Sequence, residues 1–124
     1  TSSVRLGACM PRDPERLLDM LNAAKRITRR LNGVTRDDFH ADDDLQIIIV
    51  HLIQIIGEAA RNISGELQAD RPDIAWREVI AMRHRIVHDY LNINVAKVWE
   101  TAIEDIPALI SMIEPLVPPE EPAP

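Results

Sequence analysis

Aromatic residues are almost missing from this chain: its 124 residues include one Phe, one Tyr and two Trp. The core must therefore be built from Ile, Leu, Val and Ala. Cysteine occurs once, as Cys9, which excludes an internal disulfide and leaves no second thiol at zinc-ligand spacing; a reducing, cytoplasmic setting is expected. Long apolar runs are missing too. The most apolar segment, LQIIIVHLIQII (45–56), is interrupted by Gln46, His51 and Gln54 and is too short to span a bilayer. The opening TSSVRLGACMP has no apolar stretch that could serve as a signal-peptide core. A soluble protein with no membrane partner is expected. Positive charge is the last scarcity. Fourteen Lys and Arg against twenty Asp and Glu give a formal net charge of −6, which argues against a protein coated in basic patches, though not against a local basic site.

What is present organises into helices. The length suits one domain with one core. Asp13 and Pro14 read as an N-cap and first helical position, and Leu17, Leu18, Leu21, Ala24, Ile27 and Leu31 then recur at helical spacing, so the first helix is expected over about 14–31, with Gly33 as its stop. VTRDDFHADDD reads as a polar connection whose aspartates cap the next helix. From Leu45 to about Ile63 the chain is apolar on nearly every face; IIIV alone could be a buried strand, but the continuous length favours a helix. A helix apolar all round needs cover on all sides, in mid-bundle or at a subunit interface. Gly65 and Pro72 break the pattern. A third helix is expected over about Ala75–Val87 and a fourth after an Asn94 cap, kinked or split at Ile106 by Pro107. No strand alternates convincingly. The expected fold is an all-α, up-and-down bundle of four to five helices. The domain is expected over 12–116, preceded by a disordered extension (1–11) and followed by a disordered tail (117–124), since PLVPPEEPAP carries five prolines in ten residues. MPRDPERLLDML reads as a natural start at Met10, which would make residues 1–9 an extension.

One stretch concentrates chemistry. RHRIVHDY, residues 83–90, holds two of the four histidines and the only tyrosine. Arginine grips a phosphate with a permanently charged fork. Histidine titrates near neutrality and moves protons, and tyrosine can stack, donate a hydrogen bond or be modified. Together they suit metal-free RNA cleavage, in which a base activates the ribose 2′-hydroxyl and a cation stabilises the charged phosphorane. A plainer reading stands beside this one: two Arg and two His at a helix C-terminus also favour the negative end of the dipole. Zinc held by His84 and His88 fits poorly, because the metalloprotease pattern wants Glu where Arg85 stands and flanking arginines repel a dication.

Arg83, four residues, His88, one residue, Tyr90 reproduces the R-x4-H-x-Y signature of the HEPN ribonuclease superfamily. With IIGEAARNIS (55–64), PDIAWREVIAMRHRIVHDYLNINVAKVW (72–99) and EDIPAL (104–109), the chain resembles the HepT-like toxins of minimal nucleotidyltransferase–HEPN pairs, from about Pro11 to Leu116. The resemblance implies an HEPN-like bundle and a homodimer whose two motifs line a shared cleft. It also implies metal-independent endoribonuclease activity with no cofactor, in a type VII-like toxin–antitoxin system. Arg83 would bind or polarise the phosphate and His88 would act in proton transfer. Tyr90 would receive AMP from a partner nucleotidyltransferase, the antitoxin. One departure is His84, where these relatives commonly carry Asn; it is a possible auxiliary residue.

Glu58, a carboxylate within the apolar second helix, could support the motif arginine from a neighbouring helix or simply sit at the surface. His51 reads as a core or interface histidine, Trp76 and Trp99 as packing, and Arg26, Arg29 and Arg30 as a solvated helix face that could widen an RNA-binding surface. The rival to a ribonuclease is a non-catalytic helical module that keeps the motif to dock nucleotide, RNA or a protein partner.

Overall fold

The computed structural model describes residues 12–87 and 92–118. Residues 1–11 and 119–124, expected as a disordered extension and most of a disordered tail, lie outside the described residues, as do His88 and Tyr90. The described chain is α-helical: α1 Asp13–Arg30, α2 Arg36–His40, α3 Asp43–Arg61, α4 Gly65–Asp70, α5 Trp76–Ile80, α6 Met82–Ile86, α7 Val95–Glu100 and α8 Ile106–Ile113. A π-helical turn, Thr101–Asp105, joins α7 to α8, and a 3-10 turn, Glu114–Leu116, ends the described structure. Among the described residues the extended pairing is one isolated bridge, Val87 with Ile93. No described helix is long and apolar enough to cross a membrane. The all-α expectation holds.

The helix α3 is the hub. It packs along α1 on one side and against α5, α6 and α7 on another, while α8 lies on α1. Its Leu45, Ile49, Leu52, Ile53, Ile56, Ala59 and Ala60 are buried, and Ile49, Ile53, Ile56 and Ala60 are fully enclosed. Asp42 starts the helix, accepting a hydrogen bond from the Leu45 amide at 3.0 Å.

Asp13, read from the sequence as the α1 N-cap, is already helical, and no side chain caps that helix. Its carboxylate serves a tertiary contact. It is only 2 % exposed and accepts from the Ser64 amide (2.9 Å) and the Ser64 hydroxyl (2.6 Å), which fixes the start of α1 to the end of α3. The two helices are thus antiparallel, and Ser64 also caps α4 through the Leu67 amide at 3.2 Å.

Three local expectations are corrected. The segment 34–44 is more than a polar connection: Thr35 and Asp38 form a reciprocal capping box that starts α2 and drives Phe39 fully into the core, against Trp99 at 5.4 Å between ring centroids. Buried Gln46 donates to the carbonyls of Phe39 (2.9 Å) and His40 (3.1 Å), so α2 is tied to α3 by hydrogen bonds as well as packing. The span 64–74, expected as a break, holds the short helix α4. The expected third helix over 75–87 is two short helices that meet at Ala81. At Pro107 the chain stays helical. Pro107 offers no N–H to the preceding turn, and that turn widens so that the Ile106 amide reaches Thr101, five residues back, a π-type adjustment. α8 begins at Ile106, where the split was expected.

Asp13→Ala leaves the partly buried Ser64 amide and hydroxyl without their acceptor. Loss of about 2–3 kcal/mol of unfolding free energy is expected, measured by urea denaturation, with Ser64→Ala costing less.

Candidate functional site

The short helix α6 carries Met82, Arg83, His84, Arg85 and Ile86. Met82 and Ile86 are buried, one turn apart on the face that meets α3 and α7. That anchoring sends the polar residues between them to two sides. Arg83 and His84 line a groove of about 260 Å³ with Gln54, Gly57, Glu58 and Arg61 of α3 and Ile80 of α5. Arg85 goes the other way. Its Nη2 donates to the Glu78 carbonyl at 3.4 Å, and it borders a smaller cavity with Met82, Asp105 and Met112. The two arginines of the motif therefore have different surroundings, although the sequence presents them as near neighbours.

Gly57 sets the floor of the groove. A Cβ there would lie 3.3 Å from the Ile80 carbonyl oxygen and 3.5 Å from that of Val79, so the missing side chain lets α3 approach the end of α5 closely. Arg83 follows three residues after Ile80 and so stands at this crossing. Its side chain is half-buried, and its Nε is fully buried with no hydrogen-bond partner among the described residues. Arg16 Nε, on the first turn of α1, is the other such donor. Burying a donor of a charged group without an acceptor is costly, and at Arg83 the groove beside it is open to a ligand.

His84, Glu58 and Arg61 are exposed on the groove rim. Glu58 shares the groove with Arg83 but is exposed and forms no ion pair with it, so both placements that the sequence left open remain. The described ion pairs lie elsewhere, between Lys25 and Glu114, Arg71 and Asp73, and Lys97 and Glu100. In the second of these, a side-chain hydrogen bond from Arg71 holds the Asp73 carboxyl below its ordinary range.

The chain beyond Arg83 is held at both ends of a short interval. Val87 is extended (φ −122°, ψ 116°) and bridges Ile93, while the Asn94 amide donates to the Ile86 carbonyl at 2.9 Å. Asn94 then caps α7 by accepting from the Lys97 amide at 3.1 Å. His88 and Tyr90 belong to the interval between the bridged residues. The helix that carries Arg83 ends at Ile86, and His88 and Tyr90 lie outside the described residues.

His51 does not join this groove. It is exposed, away from the core, in a second depression lined by Arg26, Ile47, Ile48, Leu52 and Ile55. Trp76 packs as expected, buried with its Nε1 donating to the Arg71 carbonyl at 3.0 Å. Arg29 and Arg30 are exposed at the end of α1. No three His, Cys, Asp or Glu side chains among the described residues converge as they would around a metal ion. Sequence reasoning passed over Gln54 and Arg61. The signal was the spacing 54, 58, 61, which places three polar side chains along one stripe of a mostly apolar helix.

The family model described as ribonuclease HepT-like matches residues 20–116. "Probable ribonuclease HepT" of Thermococcus cleftensis is 34% identical over 100 residues, covering 81% of this chain and 91% of its own. "Putative RNase TTE0752" of Caldanaerobacter subterraneus subsp. tengcongensis is 28% identical over 102 residues, covering 82% and 91%. No solved structure matches the chain.

Proposed function

The chain belongs to the HepT-like ribonuclease family, and from that premise we propose that it is a metal-independent endoribonuclease whose groove at Arg83 receives the scissile phosphate. The observation that carries this reading is the buried, unpartnered Arg83 Nε beside an open groove. With its Nε already out of water and without an acceptor, the half-buried guanidinium is held in place at the groove, where its charge can meet a phosphate oxygen at little further ordering cost. In the reaction, the ribose 2′-oxygen attacks the adjacent phosphorus and the P–O5′ bond breaks. A 2′,3′-cyclic phosphate and a free 5′-hydroxyl result. One proton leaves the 2′-hydroxyl and one reaches the departing O5′, both moved by imidazole at His88. Arg83 stabilises the charge that builds on the phosphorane oxygens. The protein supplies no nucleophile. His84 and Glu58, on the same rim, are auxiliary.

Two proton transfers from one type of residue suit a pair of chains. The face of α3 that runs into the groove supports this. Ile47 is 58 % exposed, with His51 exposed and Ile48 and Ile55 half-buried beside it. A second copy on this face would cover the apolar residues and bring a second Arg83 and His88 towards the same cleft. RNA as substrate would place the protein's work in the cytoplasm.

In chelator-containing buffer the wild type should cleave RNA. Arg83→Lys, which keeps the charge and loses the bidentate fork, should lower kcat/KM about 10- to 100-fold with helicity unchanged, and His88→Ala about 100-fold or more. Cleavage retained by His88→Ala would remove the proposed chemistry, and cleavage by no version would leave the non-catalytic binding module.

Control falls to Tyr90. An unrestrained ribonuclease harms its cell, and the partner implied by the family resemblance is a minimal nucleotidyltransferase antitoxin. The Tyr90 hydroxyl would attack the α-phosphorus of ATP and release pyrophosphate. The tyrosyl-AMP so formed sets a phosphate and a base to compete with RNA for Arg83. Mass spectrometry of the co-expressed pair should map an adenylyl adduct to the peptide containing Tyr90, with RNase activity lost. An unmodified Tyr90 in a fully inhibited complex would sink this part.

A further inference from the structure

We infer that Arg61 is a second phosphate contact, so that the groove holds at least two consecutive phosphodiesters of single-stranded RNA, with the scissile one at Arg83. The inference rests on the ribonuclease reading and extends it to the length and charge of substrate that the site grips.

Three observations converge on Arg61. It lines the same groove as Arg83 and His84, across from them on α3. It is exposed and free of any described ion pair, although Glu58 stands three residues earlier on the same helix and the chain as a whole carries more acids than bases. The groove also has length. Gln54 and Arg61, with Glu58 between them, stand seven residues apart on α3, roughly 10 Å at about 1.5 Å per residue, which exceeds one phosphate group. Arg83 occupies the opposite wall near Gly57 and Ile80. A strand whose scissile phosphate meets Arg83 would carry its neighbouring phosphate past Arg61, at the end of the stripe. An unpaired guanidinium there neutralises that charge and holds the register without touching the reacting atoms. Arg61 is thus a positioning residue. A plain helix-end arginine would complement the α3 dipole and nothing more.

The test compares wild type, Arg61→Ala and Arg61→Lys in two assays. The first is binding of a fully 2′-O-methylated RNA decamer, which cannot be cleaved, across a range of salt. The second is steady-state cleavage of the unmodified decamer, with His88→Ala as control for contaminating nuclease. Arg61→Ala should weaken binding about fivefold at low salt and flatten the log Kd against log salt slope by about 0.7, the value for one phosphate on a single strand. In cleavage its KM should rise with kcat within about twofold of wild type. Arg61→Lys should restore the slope. An unchanged slope and affinity in Arg61→Ala, with wild type binding normally, overturns the inference, because a dipole or folding role would not set a salt slope. Arg61-dependent binding without cleavage would keep the phosphate contact and remove the ribonuclease reading. No binding by wild type would overturn both.

Discussion

The helix α3 is apolar on nearly every face, and the rest of the structure is arranged around the need to cover it. Helix α1 covers one flank, and α5, α6 and α7 cover another. With aromatics scarce, the cover is achieved by close helix approach between Ile, Leu, Val and Ala. Gly57 marks the limit of this strategy, where α3 meets carbonyl oxygens of α5 directly. The groove is a by-product of the same packing. Where the two elements separate beyond Gly57, polar residues of α3 and α6 face each other across open space.

The long elements were legible because periodicity reports burial. α1 and α3 were found to within a residue or two, whereas the helix expected to kink or split at Ile106 runs on through Pro107 by way of a π-type turn. The short elements were missed where hydrogen bonds rather than periodicity decide. Nothing in the apolar pattern marks α2, which exists through the Thr35–Asp38 capping box and the anchoring of Phe39. Asp13 has the sequence signature of a cap, yet it spends its carboxylate on Ser64, a residue 51 positions away that no local rule can see. Ala81 has no turn signature, yet the chain changes helix there.

The site was legible in residue type and less so in geometry. His88 and Tyr90 lie outside the described residues, so the geometry on view is that of Arg83, carried on a helix that ends at Ile86. The net charge of −6 suggested a surface ill suited to RNA, but charge acts locally. Acids on this chain pair with Lys25, Arg71 and Lys97, while Arg61 and Arg83 at the groove stay without a described ion pair. Within a Debye length of about 8–10 Å, Arg61 and Arg83 against the one carboxylate of Glu58 leave the groove locally positive despite the distant excess of acids.

We propose that the face of α3 around the exposed Ile47 packs against a second copy of the chain and that the pairing completes the site. Sedimentation equilibrium of wild type and Ile47→Asp, read together with RNA cleavage, tests it directly. Ile47 is exposed in the single chain, so a charge there leaves the folded protomer intact, whereas a charge buried between two copies without a partner is costly. Wild type should be a dimer at micromolar concentration, and Ile47→Asp a helical monomer with cleavage lost. A wild-type monomer that cleaves RNA, or an Ile47→Asp monomer as active as wild type, would contradict it.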